Sequence, residues 1–174
     1  MKILIILVLL LFLAALWDFY RGKIPNILLL AGGSYGLIRL LLVQNMVTHI
    51  PGIVFPIVLL FPLYKIGVIG AGDIKLFSLL GFYFTFMETI FCIFTAFIIG
   101  AVISALSIIR YGNFVERMTY LFSYLKECFT VGHFRYYYLD SEGKHISNIK
   151  ENQSKIHFAI PIFISVLVRI GGIL

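Results

Sequence analysis

Charge is scarce in this sequence: only 13% of its 174 residues are Asp, Glu, Lys or Arg, against 61% hydrophobic. A soluble domain carries about a quarter charged residues, so this balance excludes an ordinary globular protein and places the chain in a lipid bilayer. Cysteine is nearly absent. Cys92 and Cys128 stand alone with no CxxC or Cys/His spacing, which excludes a disulfide framework and a structural zinc site. The four histidines, His49, His133, His145 and His157, lack metal-ligand spacing such as HExxH and read as scattered loop or interfacial residues. No metal and no cofactor is expected. Acids are the rarer charge, eight against fourteen Lys and Arg. In a membrane chain that excess is an orientation signal and not a nucleic-acid footprint.

What the sequence has in quantity is long apolar runs. After Lys2, fifteen apolar residues extend from Ile3 to Trp17. Such a run is short for a bilayer core of about 30 Å and resembles a signal peptide in length. The basic segment that follows it, and the bulky Trp17 where a cleavage site wants a small residue, favour a retained span. A second span is expected from Ile27 to Val43, interrupted by Arg39, whose aliphatic stem can snorkel to the far interface. Within it, Gly32-Gly33-Ser34-Tyr35-Gly36 matches G-x-S-x-G. That pattern needs a strand-turn-helix elbow, so inside an apolar helix it reads instead as a small face at Gly32 and Gly36 for close helix packing.

The third span, Ile50 to Lys65, contains Pro51, Pro56 and Pro62, which should kink it and free carbonyls. From Leu76 to Ile109 thirty-four residues carry one charge, Glu88, which fits a hairpin of two spans turning near Met87 to Thr89. Glu88 then reads as a solvated turn residue, and Gly100 with Ser104 as a second close-packing pair. Arg110 to Lys155 is the one long polar segment. Phe114, Met118, Leu121, Phe122, Leu125 and Phe129 recur in it at helical spacing, the pattern of an amphipathic surface helix. Ile156 to Leu174, with Pro161, is the last span. The expected fold is an all-α integral membrane protein: about six transmembrane helices plus one amphipathic surface helix, in a single domain over residues 1–174 with an interfacial segment at 110–155.

The runs are organised around Gly70-Ala71-Gly72-Asp73-Ile74-Lys75. An acid near the apolar interior costs roughly 2.5–3.5 kcal/mol on insertion scales, so Asp73 needs a pairing, hydrating or functional reason. Gly70 and Gly72 suit a non-helical bend that accepts positive φ and lets another backbone approach. In a membrane such a bend is tolerated only against protein or a wet cavity.

Six alternating spans put the turn after the first span, the Gly70 stretch and the polar segment on one face, together with eleven of the fourteen basic residues. By the positive-inside rule that face is cytoplasmic and both termini lie outside. Asp18, in Asp18-Phe19-Tyr20-Arg21-Gly22-Lys23-Ile24-Pro25-Asn26, then shares side and depth with Asp73. Two carboxylates brought close titrate as a pair, and one can take a proton from water while the other donates to a peptide carbonyl. Two unrelated aspartates, solvated or paired with Lys75 or Arg21, fit charge and depth equally well. A small ion- or proton-coupled carrier is the alternative from another class; it would favour inverted repeats, and none is visible.

The Gly70–Lys75 stretch resembles the GxGD signature of the prepilin peptidase family of membrane aspartic proteases, including the lysine two residues after the acid. Asp18 with Ile24-Pro25-Asn26 is similar to that family's first catalytic aspartate, and Ile160-Pro161-Ile162-Phe163 more weakly to the start of its last span. The resemblance implies Asp18 and Asp73 as the catalytic pair, an active-site loop of Gly70, Gly72 and Lys75, no metal, and a type IV pilin-like precursor as substrate. It further implies cleavage at the cytoplasmic membrane face, between a short basic leader and an apolar helix. Longer members carry a domain with paired CxxC motifs between the first two spans, tied to methylation of the new N-terminus. Here only Phe19 to Asn26 joins them, which implies a peptidase without methyltransferase activity, similar to those of tight-adherence (Flp-type) pilus systems.

Overall fold

The computed structural model describes residues 2–43, 46–66, 68–111 and 157–172. Six helices account for nearly all of them: α1 (Lys2–Arg21), α2 (Asn26–Val43), α3 (Met46–Lys65), α4 (Ala71–Leu80), α5 (Phe86–Tyr111) and α6 (Ala159–Gly171). Three stretches, Leu4–Arg21, Met46–Lys65 and Phe86–Ser107, are long and apolar enough to cross a membrane. Shorter apolar helices occupy Asn26–Leu42 and Ala159–Gly171. At 1.5 Å per residue the 10-residue α4 rises only about 15 Å, half a hydrocarbon core. An all-α membrane architecture therefore holds, and among the described residues three of the helices have full spanning length. The amphipathic helix expected over Phe114 to Phe129 lies outside the described residues.

The short helix is the centre of the molecule. α4 packs against α2, α3, α5 and α6, while α6 packs in turn on α1 and α5. Ile74, Leu76, Phe77, Leu79 and Leu80, half of α4, are buried. Phe77 and Leu80 are fully enclosed, together with Leu7 and Leu11 of α1, Leu60 of α3, and Ile162 and Val166 of α6. With four helices packed around it, α4, though too short to span, still buries most of its apolar side chains.

Glycine sets how closely these helices approach. A Cβ on Gly32 would stand 2.4 Å from Leu10 Cδ1, and one on Gly36 2.6 Å from Phe82 Cβ, so the small face expected on α2 is used against α1 and the segment after α4. The tightest approach of backbone to backbone lies elsewhere. A Cβ on Gly81 would meet the Gly52 carbonyl carbon and the Ile53 nitrogen of α3 at 2.4 Å each. α3 remains helical through Pro51, Pro56 and Pro62. The Ile53 carbonyl, in the turn where Pro56 withholds an N–H, accepts a hydrogen bond from Ser78 Oγ at 2.8 Å.

These contacts move the α4–α5 turn earlier than hydropathy places it. Instead of turning at Met87 to Thr89, the chain leaves the helix after Leu80 and re-enters it at Phe86. Tyr83 Oη donates to the Gly32 carbonyl at 2.7 Å, Arg39 Nη1 donates to the Tyr83 carbonyl at 3.1 Å, and His49 Nδ1 lies 3.1 Å from the Gly81 carbonyl. Arg39 thus turns inward to the carbonyls of this turn. His49 is buried within the protein. Glu88 is likewise no solvated turn residue. Its Oε2 accepts from Thr85 N (2.8 Å) and Thr85 Oγ1 (2.9 Å), half of a capping box that starts α5 one residue after Thr85.

Candidate functional site

Asp18 occupies the last turn of α1 and is buried. The helix stops three residues later because Gly22 adopts φ 64°, the left-handed conformation that ends helices, while its N–H donates to the Asp18 carbonyl at 2.7 Å. Lys23, Ile24 and Pro25 follow outside any helix, and the Pro25 carbonyl accepts the Leu28 N–H at 3.1 Å as α2 begins. The acid is fixed at a helix end beside a sharp reversal.

Asp73 stands at the third position of α4, whose N-cap, Gly70, is extended at φ −75°, ψ 148°. Gly70 and Gly72 therefore serve close approach and not positive φ. A Cβ on Gly70 would lie 3.2 Å from Asp73 Oδ2, in the space where the carboxylate folds back to the Gly70 backbone amide. On Gly72, a Cβ would stand 3.2 Å from Ile24 Cδ1 and 3.4 Å from Ile24 Cβ. The turn after Asp18 thus packs directly on the stretch that carries Asp73. A second stitch joins them: Lys75 Nζ donates to Asn26 Oδ1 at 3.1 Å, an exposed bond to the end of the Ile24-Pro25-Asn26 turn.

The two acids are within electrostatic reach. Burial of the Asp73 carboxyl, reinforced by the negative charge of Asp18, pushes its pKa from 3.8 up to about 7, against the opposing pull of the Gly70 amide. A carboxyl in that state holds its proton near neutral pH. Asp18 of α1 and Asp73 of α4, far apart in sequence, thus feel each other's charge, with the Gly70 amide beside Asp73. Among the described residues no group of three His, Cys, Asp or Glu side chains is arranged to hold a metal ion.

With this geometry in view, comparison with known proteins gives a match to the type IV leader peptidase family over residues 5–105, more than half of the chain, spanning both aspartates. The chain belongs to the type IV leader peptidase family. Neither the curated proteins nor the solved structures give a match. Family membership makes this a member of a peptidase family whose general substrates are pilin precursors, and it lends no support to the carrier alternative.

A further residue stands beside Asp18, one that the sequence reads only as a loop or interfacial histidine. His157, just before α6, places Nδ1 3.5 Å from Asp18 Oδ2, with its ring 5.6 Å from that of Phe19. It lies outside the family match. No spacing pattern announces it, since its partner is at the other end of the chain. The nearest signal was positional: a histidine entering the last apolar run, on the side to which Asp18 had been assigned.

Proposed function

We propose that this chain is an aspartic endopeptidase that removes the short basic leader of type IV pilin-like precursors at the cytoplasmic membrane face. Asp18 and Asp73 are its catalytic pair, and Gly70, Gly72 and Lys75 form the active-site loop. The observation that carries the reading is the coupling of two carboxyls from separate helices, one of them raised to a pKa of about 7. Such a pair holds one proton over the range where one member is ionised and the other is not.

Cleavage needs that state. The ionised carboxylate removes a proton from water as its oxygen bonds to the scissile carbonyl carbon, and the protonated partner donates to the carbonyl oxygen. The tetrahedral adduct then returns a proton to the second carboxylate. The C–N bond breaks, and the leaving amine takes the proton first abstracted from water. Positive-inside bias supports the cytoplasmic face and outer termini, because Arg21, Lys23, Lys65 and Lys75 cluster at the ends bearing the aspartates. The short Phe19–Asn26 connection supports a peptidase without methyltransferase activity. We assign residues 1–174 to one membrane-embedded domain, with 110–155 at the interface.

The test is cleavage of a co-expressed pilin-like precursor by wild type, Asp18→Asn and Asp73→Asn at equal abundance, read as a mobility shift. Wild type should cleave and both variants should lose at least about a thousandfold in rate, the scale of removing a general acid or base. Cleavage surviving either substitution rejects the assignment.

A further inference from the structure

Asp18 and Asp73 differ in surroundings, and the difference lies in what faces each. Asp73 has the Gly70 amide and the Asp18 charge beside it. Asp18 has an imidazole. His157 Nδ1 is at ion-pair distance, 3.5 Å, with the side chains of His157 and Asp18 exposed by 26% and 11%. Two nearby cations make contacts of their own: Arg21 lies over the Trp17 ring at 5.0 Å, and Lys75 donates to Asn26. From α6 itself the described ionisable side chain is Arg169, paired with Glu88 near the opposite end of the helix.

His157 is anchored by its neighbour. The Phe158 ring sits 5.2 Å from that of Phe97 and 6.2 Å from that of Phe77, and Phe77 is fully buried in the centre of α4. Gly100 of α5 makes room for it, since a Cβ there would stand 2.9 Å from Phe158 Cε2. The backbone carrying the imidazole is therefore wedged among α4, α5 and α6, while Phe19 flanks the ring. A residue held this way orients its partner.

Resting on the peptidase reading above, we propose that His157 is a positioning residue that holds Asp18 as the ionised, water-activating carboxylate, leaving Asp73 as the partner that donates to the peptide carbonyl. A donor or cation beside a carboxylate favours its charged form, whereas partial burial together with the neighbouring Asp18 charge favours the neutral form of Asp73. The pair then enters each turnover with its proton already on one side, and the approach of water is defined by Asp18.

The deciding experiment is kcat/KM against pH for cleavage of a pilin-like precursor by the purified full chain, as wild type, His157→Phe and His157→Gln. Without the imidazole, Asp18 protonates at higher pH. The acid limb should move up by about one pH unit in His157→Phe and by less in His157→Gln, which keeps an N–H donor. A fall in rate with an unmoved acid limb, or no change at all, overturns the proposal. A second measurement does not depend on turnover: unfolding midpoints of Asp18→Asn, His157→Gln and the double variant should be non-additive, and additive shifts overturn the pairing. Asp18→Asn separates the two levels. If it still cleaves, the aspartate-pair function falls and the role of His157 with it; if it is inactive while the His157 limb stays put, only the His157 assignment falls.

Discussion

Arg169 of α6 donates from Nη2 to Glu88 Oε1 of α5 at 2.7 Å, joining the end of the last helix to the start of the longest one. Both side chains are only about a quarter exposed, and the same carboxylate caps α5 through Thr85. The arginine also lies 5.9 Å over the Phe91 ring. Arg169→Met should lower stability by about 1–3 kcal/mol, the cost of losing a hydrogen bond between charged groups in a partly buried place. The pair sits about 15 Å along α6 from Ala159. Cleavage per folded molecule should therefore be unchanged while the unfolding midpoint in detergent falls.

The Asp73 carboxyl makes stability depend on pH in a defined direction. Its pKa is about 7 in the folded chain against an ordinary 3.8, so between those values the folded state binds more protons than the unfolded one. Stability contributed by the protonated group is complete below about pH 3.8, declines as pH rises, and is gone above about pH 7. Asp73→Asn should then be stabilised relative to wild type by an amount that grows over this interval and levels off above it, on the order of 2–4 kcal/mol. Unfolding midpoints of the two proteins from pH 4 to 8 check the sign.

For catalysis the same proton has the opposite use. Ionising Asp73 removes the donor to the peptide carbonyl, so wild-type kcat/KM should decline on the alkaline side of about pH 7. A flat profile through pH 9 would remove Asp73 from the role of acid.

Two glycines should respond oppositely to alanine. At Gly81 the added methyl meets α3 backbone at 2.4 Å, where nothing can rotate away; at Gly33 the nearest contact is Leu79 Cδ1 at 4.0 Å. Gly81→Ala should cost at least about 3 kcal/mol through separation of α3 from α4. Gly33→Ala should gain about 0.5–1 kcal/mol from helix propensity. Detergent-solubilised yield and unfolding midpoint distinguish them.

The Lys75–Asn26 bond joins the two aspartate-bearing turns through an exposed contact. Its loss should change stability by no more than about 1 kcal/mol. Lys75→Ala and Asn26→Ala should lower kcat/KM to similar extents, and the double variant should fall no further than either. Independent, multiplicative losses would instead make Lys75 a contact for the substrate leader.

The sequence alone determined the membrane class and the helical fold and singled out two aspartates as candidates, because these rest on transfer costs and short-range chain geometry that each residue carries with it. Gly70 is visible there as a break, and Thr85-Phe86-Met87-Glu88 bears a capping signature that would have placed the α5 start correctly. Tertiary structure decided what the residues face. Hydropathy continues unbroken across residues 76–87, so only the seating of Gly81 on Gly52 and of Phe82 on Gly36 shows where α4 stops. Likewise α4 looks like half of a long hairpin until four other helices are seen to pack on it. His157 reaches Asp18 because Phe158 is wedged between Phe77, Phe97 and Gly100. Such an encounter depends on the rotation and depth of packed helices, and no local pattern encodes those.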